Sequence, residues 1–223
     1  MKEPHSISSS PEQKNRFICT DLSFGDNGPY CLSCDGSETI GLSGVSGIGK
    51  SLFLRALADL DSHSGRITLG DWTCSDVSAP VWRSRVALIP AESRWWFDDV
   101  NSHMTNAGSG EELHSLLASL GFAEDVLSWQ VSRLSSGEKQ RLSLVRVLVR
   151  RPEMLLLDEL GSSLDRENCE MLEAAVKKYQ KLHHAPVLWV SHDKEQLQRI
   201  ADRLVVIHQD RLEEGPLNSG ETT

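Results

Sequence analysis

No apolar run in the 223-residue sequence approaches the ~20 residues that a membrane-spanning helix needs. The first residues, Met1 to Gln13, are polar and serine-rich and lack the apolar centre of an export signal. Basic residues are in the minority: 23 Lys and Arg face 32 Asp and Glu, for a formal charge of −9. A phosphate backbone requires a basic footprint, so this balance argues against nucleic acid as a partner. Cysteine is sparse, and the count of five is odd, which argues for reduced thiols rather than a disulfide framework. Cys31-Leu32-Ser33-Cys34 has C-x-x-C spacing but no second pair. Positions three apart in an extended strand face opposite sides, so these cysteines read as small packed hydrophobes rather than as zinc ligands. The chain is expected to be soluble and cytoplasmic, with disordered tails at 1–15 and 216–223.

What is present is a pattern for holding phosphate. Gly44-Val45-Ser46-Gly47-Ile48-Gly49-Lys50-Ser51 fits G-x-x-x-x-G-K-[ST], with Leu52 adjoining the cradle. Glycines let the backbone turn so that successive N–H groups converge on phosphate oxygens. Lys50 is placed to reach the β- and γ-phosphates, and the Ser51 hydroxyl to ligate Mg²⁺. A helix starting at Lys50 adds its positive N-terminal dipole. The context agrees: Glu38 to Leu42 reads as a short buried strand, and Phe53, Ala56, Leu57 and Leu60 repeat at helical spacing.

Along the chain, Arg16 to Phe24 and Tyr30 to Cys34 read as strands around a turn at Gly25 to Pro29. Arg66 to Leu69 and Val86 to Ile89 are further strands. Strand-like runs then vanish between 92 and 133, where Leu113, Leu116, Leu117 and Leu120 mark a helix ended by Gly121, as expected of a helical subdomain. Trp95-Trp96-Phe97 stands at its entrance, either as core or as a docking surface for a partner. Ser135 or Ser136 caps the next helix, whose stripe is Leu142, Val145 and Val149. Helices are expected at Arg166 to His183 and Lys194 to Ile200, and strands at Val187 to Val190 and Leu204 to Ile207.

Met154 to Leu157 is a continuous apolar run, as suits a parallel strand buried on both faces. Asp158 and Glu159 follow it, at the strand end where open α/β sheets bind ligands. Downstream of a P-loop this is a Walker B arrangement. Asp158 is placed to hold Mg²⁺ beside Ser51, and Glu159 to orient or deprotonate a water. His192 follows another buried strand and becomes a candidate catalytic group jointly with these carboxylates.

At Leu134-Ser135-Ser136-Gly137-Glu138-Lys139-Gln140-Arg141 the sequence resembles the L-S-G-G-[QE] signature of ATP-binding cassette (ABC) ATPases. Ser162-Ser163-Leu164-Asp165 resembles that family's D-loop, and His192 its switch histidine. The motifs stand in the family's order, and the resemblance covers about residues 16–215. The resemblance implies an α/β fold: a P-loop core of ABC type, a small antiparallel β-subdomain and a helical subdomain at about 92–133. It also implies ATP and Mg²⁺ as cofactors. An ATP-dependent homodimer would sandwich each ATP between Gly44–Leu52 of one copy and Ser135, Gly137 and Glu138 of the other, with Asp165 communicating across it. Glu159 and His192 would then carry hydrolysis, and an integral-membrane permease would be the partner, placing the chain on the cytoplasmic face of the inner membrane. Between motifs, the chain looks most like the ATPase of the Fet-type exporter, a two-component bacterial system implicated in iron efflux.

Three departures from the family pattern stand out. Ser136 replaces a signature glycine. Ala91 occupies the position of the Q-loop glutamine, and in an extended segment Glu92 would point the other way. The adenine-stacking aromatic is not evident, Phe24 being the nearest candidate. The leading function is transport-coupled ATP hydrolysis, with metal export as the finer reading. The alternatives are a soluble ABC ATPase and a low-turnover ATP-binding regulatory module.

Overall fold

Two kinds of apolar pattern sort the chain into two sheets. A computed structural model describes residues 15–104 and 110–216. The expected disordered tails fall almost wholly outside these residues. Alternating segments form an antiparallel sheet: β1 (Phe17–Phe24), β2 (Asn27–Cys34), β4 (Ser64–Leu69) and β5 (Trp72–Thr73), in the order β2-β1-β4-β5. In β1 the side chains of Phe17, Cys19, Leu22 and Phe24 face inward, with a register shift between Cys19 and Leu22 where Asp21 takes φ 52°. The reversal between β1 and β2 is tighter than expected: only Gly25 and Asp26 turn, and Asn27 to Pro29 already belong to β2. Cys31 is exposed and Cys34 buried, so the strand alternation does separate the two thiols.

Continuous apolar runs build the second sheet, of order β10-β9-β3-β8-β7-β6. Its parallel strands are β3 (Thr39–Ser43), β6 (Val86–Ile89), β7 (Met154–Asp158), β8 (Val187–Val190) and β9 (Arg203–Ile207). Every residue of β7 and β8 is buried, as two covered faces require. The edge strand β10 (Leu212–Gly215) runs antiparallel to β9. It carries too little apolar residue to announce itself, and the sequence reading missed it.

Six helices among the described residues cover the sheets: α1 (Lys50–Leu57), α2 (Ala79–Arg85), α3 (Gly110–Ser119), α4 (Ser136–Leu148), α5 (Arg166–His183) and α6 (Lys194–Ile200). Helix α2 also escaped the sequence reading, because seven residues show no apolar stripe. It is anchored by one buried side chain, Trp82, whose Nε1 donates to the Leu57 carbonyl at 2.9 Å. One core lies between the antiparallel sheet, α1 and the near face of the parallel sheet. The other joins the far face to α4, α5 and the 92–133 segment. In that segment the described residues hold α3, short 3₁₀ turns and a single isolated bridge, Asp99–Gln130. No helix among the described residues is long and apolar enough to cross a membrane.

Candidate functional site

Strand register brings the distant motifs together. Leu42 of β3 and Asp158 of β7 both pair with Val190 of β8, so the P-loop, Glu159 and His192 leave adjacent parallel strands at one level. This is the C-terminal edge of the sheet, where ligands of open α/β folds sit.

The P-loop backbone is shaped by its glycines. Gly44 takes φ 152°, and a side chain there would meet the Ile207 carbonyl at 2.9 Å. Gly49 caps α1 at φ 103°, a left-handed conformation that suits glycine. Lys50 is buried, with its ammonium folded over the loop and donating to the carbonyls of Gly44 (2.9 Å) and Val45 (3.1 Å). Val45, Ser46, Gly47, Ser51 and Leu52 are exposed along the loop and first turn, while Ile48 packs partly against the core. A Cβ built on Gly47 would meet nothing within 4 Å, so the loop rises around open space. Asp158 is buried at the end of β7, on the same edge.

Glu159 is held in an uncommon conformation, φ 53° for a non-glycine residue. Its N–H donates to the Val190 carbonyl at 2.9 Å. One carboxylate oxygen, Oε2, accepts from the His192 N–H at 3.3 Å, and Oε1 lies 3.3 Å from His192 Nε2. Oε1 is buried without a hydrogen bond of good geometry, leaving acceptor capacity free. A cleft of about 490 Å³ opens beside Glu159 and His192, lined also by Gln196 and Arg199.

Ser135, Gly137 and Glu138 open α4 as a capping box. The Glu138 N–H donates to Ser135 Oγ (3.2 Å), while the Ser135 N–H and hydroxyl both donate to Glu138 Oε2 (2.8 Å each). Gly137 packs closely, since a Cβ there would stand 2.8 Å from Leu164 of the following loop. Asp165 caps α5, and the N–H of Asn168 donating to it holds its carboxyl below the usual carboxylate range. The protomer thus keeps the signature and D-loop residues against each other on one side of Glu159.

Gln140 lies within the signature stretch, where the motif alone assigns it no role. Its Nε2 donates to the Glu159 carbonyl (3.2 Å), and its Oε1 accepts from Ser163 Oγ (3.0 Å). The available signal was a buried polar pair, Gln140 and Ser143, on the apolar side of α4.

Two further expectations change. Phe24 is buried against Tyr30 and Phe53, with ring centroids 5.8 and 6.2 Å away, so it offers no face for stacking on a base. Ala91 and Glu92 are both exposed and form a bend, so the argument from extended alternation does not apply to Glu92. The aromatic triplet divides between its two readings. Trp95 packs on the core beneath Arg146, while Trp96 and Phe97 remain 62% and 49% exposed.

The family model described as ABC transporter matches residues 29–161, from β2 to just past Glu159. The chain belongs to this family. An aliphatic sulfonates import ATP-binding protein, SsuB 2 of Frankia alni, is 35% identical over 181 residues, 80% of this chain and 69% of that protein. The "Probable iron export ATP-binding protein FetA" of Escherichia coli K12 is 29% identical over 174 residues, 74% of this chain and 77% of that protein. Other curated relatives are longer, and the chain spans about half of them, 53% and 56% in two cases. A bacterial Atm1-family ABC exporter solved with ATP bound superposes with a TM-score of 0.81 at 21% identity, over 92% of this chain and 39% of that one. The fold is therefore that of an ABC nucleotide-binding domain. ABC ATP-binding subunits are ATPases coupled to transport, and this chain is one of them.

Proposed function

We propose that the chain powers a transporter as an ATP-driven homodimer, with each nucleotide held between the P-loop of one copy and the signature of the other. The observation that carries this is the shared strand register that sets Lys50, Asp158, Glu159 and His192 on one sheet edge. ATP, when bound, supplies the phosphoanhydride bond whose cleavage drives the cycle, and Mg²⁺ neutralises its charge. Lys50 would swing from the Gly44 and Val45 carbonyls to the β- and γ-phosphates, and Gly44–Leu52 would cradle them. Ser51 and Asp158 form the oxygen donor set that suits Mg²⁺. Glu159 would orient a water and accept its proton at Oε1, the oxygen left without a good hydrogen bond. His192 holds that carboxylate through its backbone N–H to Oε2, with its ring standing 3.3 Å from Oε1. In the sandwich Ser135 would exchange its bond to Glu138 for phosphate, with Gly137, Glu138 and Asp165 at the dimer face.

The partner is an integral-membrane permease, which places the chain on the cytoplasmic face of the inner membrane. A groove of about 300 Å³ beside the exposed Trp96, with Arg83, Arg146 and Arg150 on its walls, suits an acidic and apolar cytoplasmic segment of such a permease. The cargo we favour is a metal ion, iron in particular, on the strength of the likeness to FetA. Co-expression with a candidate multi-span permease, followed by ATP-driven iron uptake into inside-out vesicles, tests this. Uptake that depends on Lys50 supports the reading, and stable co-purification with no ATP-driven iron movement overturns the cargo.

A further inference from the structure

Away from the nucleotide edge, three side chains of different chemistry converge where α1 meets the antiparallel sheet. One ligand-capable atom from each of Asp59, His63 and Cys74 lies within 4.8 Å of the others. Asp59 and His63 are half-buried beyond the C-terminus of α1, and Cys74 is 7% exposed in the 3₁₀ turn that follows β5. We propose that Asp59, His63 and Cys74 form a binding site for a divalent transition-metal ion of the zinc class.

Three features support the assignment. First, His63 Nδ1 lies 3.1 Å from the Asp61 carbonyl. A carbonyl only accepts, so Nδ1 carries the proton and Nε2 keeps its lone pair, the orientation common among metal-bound histidines. Second, the Asp59 backbone is fixed at φ 54° and its carbonyl is taken by the Arg83 guanidinium, at 3.0 Å from Nε and in a second contact from Nη2. Its carboxylate makes no hydrogen bond or ion pair among the described residues. The neighbouring Asp61 is already committed to Arg55, at 2.6 Å. Third, the nine-tenths-buried Cys74 thiol likewise has no hydrogen-bond partner among the described residues. Burial and the nearby Asp59 charge push it up to about 11, with Arg83 acting the other way.

One sulfur, one imidazole nitrogen and one carboxylate oxygen are the mixed donors that zinc takes at about 2.0–2.3 Å, with water completing a tetrahedron. Those bonds need donors about 3.3–3.8 Å apart, so binding draws the three side chains inward from the 4.8 Å within which they lie. As the metal–sulfur bond forms, the Cys74 S–H bond breaks and its proton leaves to solvent, while the ion sheds water to the three donors. The bound ion would tie the end of the helix that begins with Lys50 to the antiparallel sheet.

The test titrates cobalt(II) into the full chain, stripped of metal and without nucleotide, so that its outcome is independent of ATP hydrolysis. One equivalent should give a thiolate-to-cobalt band in the near ultraviolet, displaced by zinc and indifferent to magnesium. Cys74→Ser should abolish the band, and Cys31→Ser should leave it. His63→Ala, at a less buried position, should weaken binding by about tenfold or more. The proposal is overturned if cobalt does not saturate, if the band survives Cys74→Ser, or if His63→Ala binds as wild type does.

Discussion

Gln140 Nε2 donates to the backbone carbonyl of Glu159 at 3.2 Å, and this contact joins the signature helix to the residue that follows the Walker B strand. The same amide receives Ser163 Oγ, so one buried side chain ties signature, carboxylate and D-loop together. Because Glu159 sits at a positive φ, its side-chain direction depends on such external support.

Gln140→Leu is therefore expected to reduce turnover while sparing nucleotide affinity. The Glu159 carbonyl keeps a bond from the Ser162 N–H at 3.2 Å and the exposed Ser163 hydroxyl turns to water, so each lost bond costs roughly 0.5–1.5 kcal/mol, a loss that thermal denaturation would register. A fall in kcat of tenfold or more with unchanged binding of a non-hydrolysable ATP analogue separates positioning from general destabilisation. Equal losses in both would assign Gln140 to packing alone.

Glu159→Gln should abolish hydrolysis, keep ATP binding and stabilise a dimer. The amide preserves shape, cannot take a proton and removes charge repulsion at a closed interface. Gel filtration with Mg-ATP reads this directly. A variant that stays monomeric and hydrolyses at the wild-type rate would remove Glu159 from its role.

Lys50→Ala should weaken ATP binding. Charge-assisted contacts contribute roughly 1.5–3 kcal/mol, or about ten- to a hundredfold in affinity. Titration with a fluorescent ATP analogue measures it, and unchanged affinity would mean that the loop does not cradle phosphate.

If Ala91 holds the Q-loop position, the segment after β6 lacks the side chain that, in this family, links Mg²⁺ and water to the helical segment. Hydrolysis is expected to be slow but present, and Ala91→Gln to raise it or to sharpen its Mg²⁺ dependence. If the bend instead lets Glu92 take over, Ala91→Gln is neutral and Glu92→Ala is costly. Steady-state assays across a Mg²⁺ series distinguish the two, and indifference to both substitutions detaches this segment from the site.

The site was most legible where chemistry demands fixed residues at fixed spacing. The P-loop, Asp158-Glu159, and the capping serine and glutamate of α4 could each be placed from local sequence, because each answers to backbone geometry or a covered strand. Helix α2 and strand β10 could not: the first buries Trp82 alone, and the second exists by pairing with β9. Phe24 failed as a stacking candidate because its ring is consumed by Tyr30 and Phe53, a tertiary contact with no local signal. Gln140 was visible as a letter but not as a bridge, since its partners come from a loop and a strand end.

The placement of β3 between β8 and β9 sets an order on biosynthesis. The strand that launches the P-loop emerges early from the ribosome, yet both of its neighbours are among the last strands to be translated. Until Val187–Val190 and Arg203–Ile207 arrive, β3 has two open edges, and non-local pairing of this kind is slow to form. A nascent chain carrying the whole glycine loop should therefore be unable to retain nucleotide, and that competence should appear abruptly once β9 has cleared the exit tunnel.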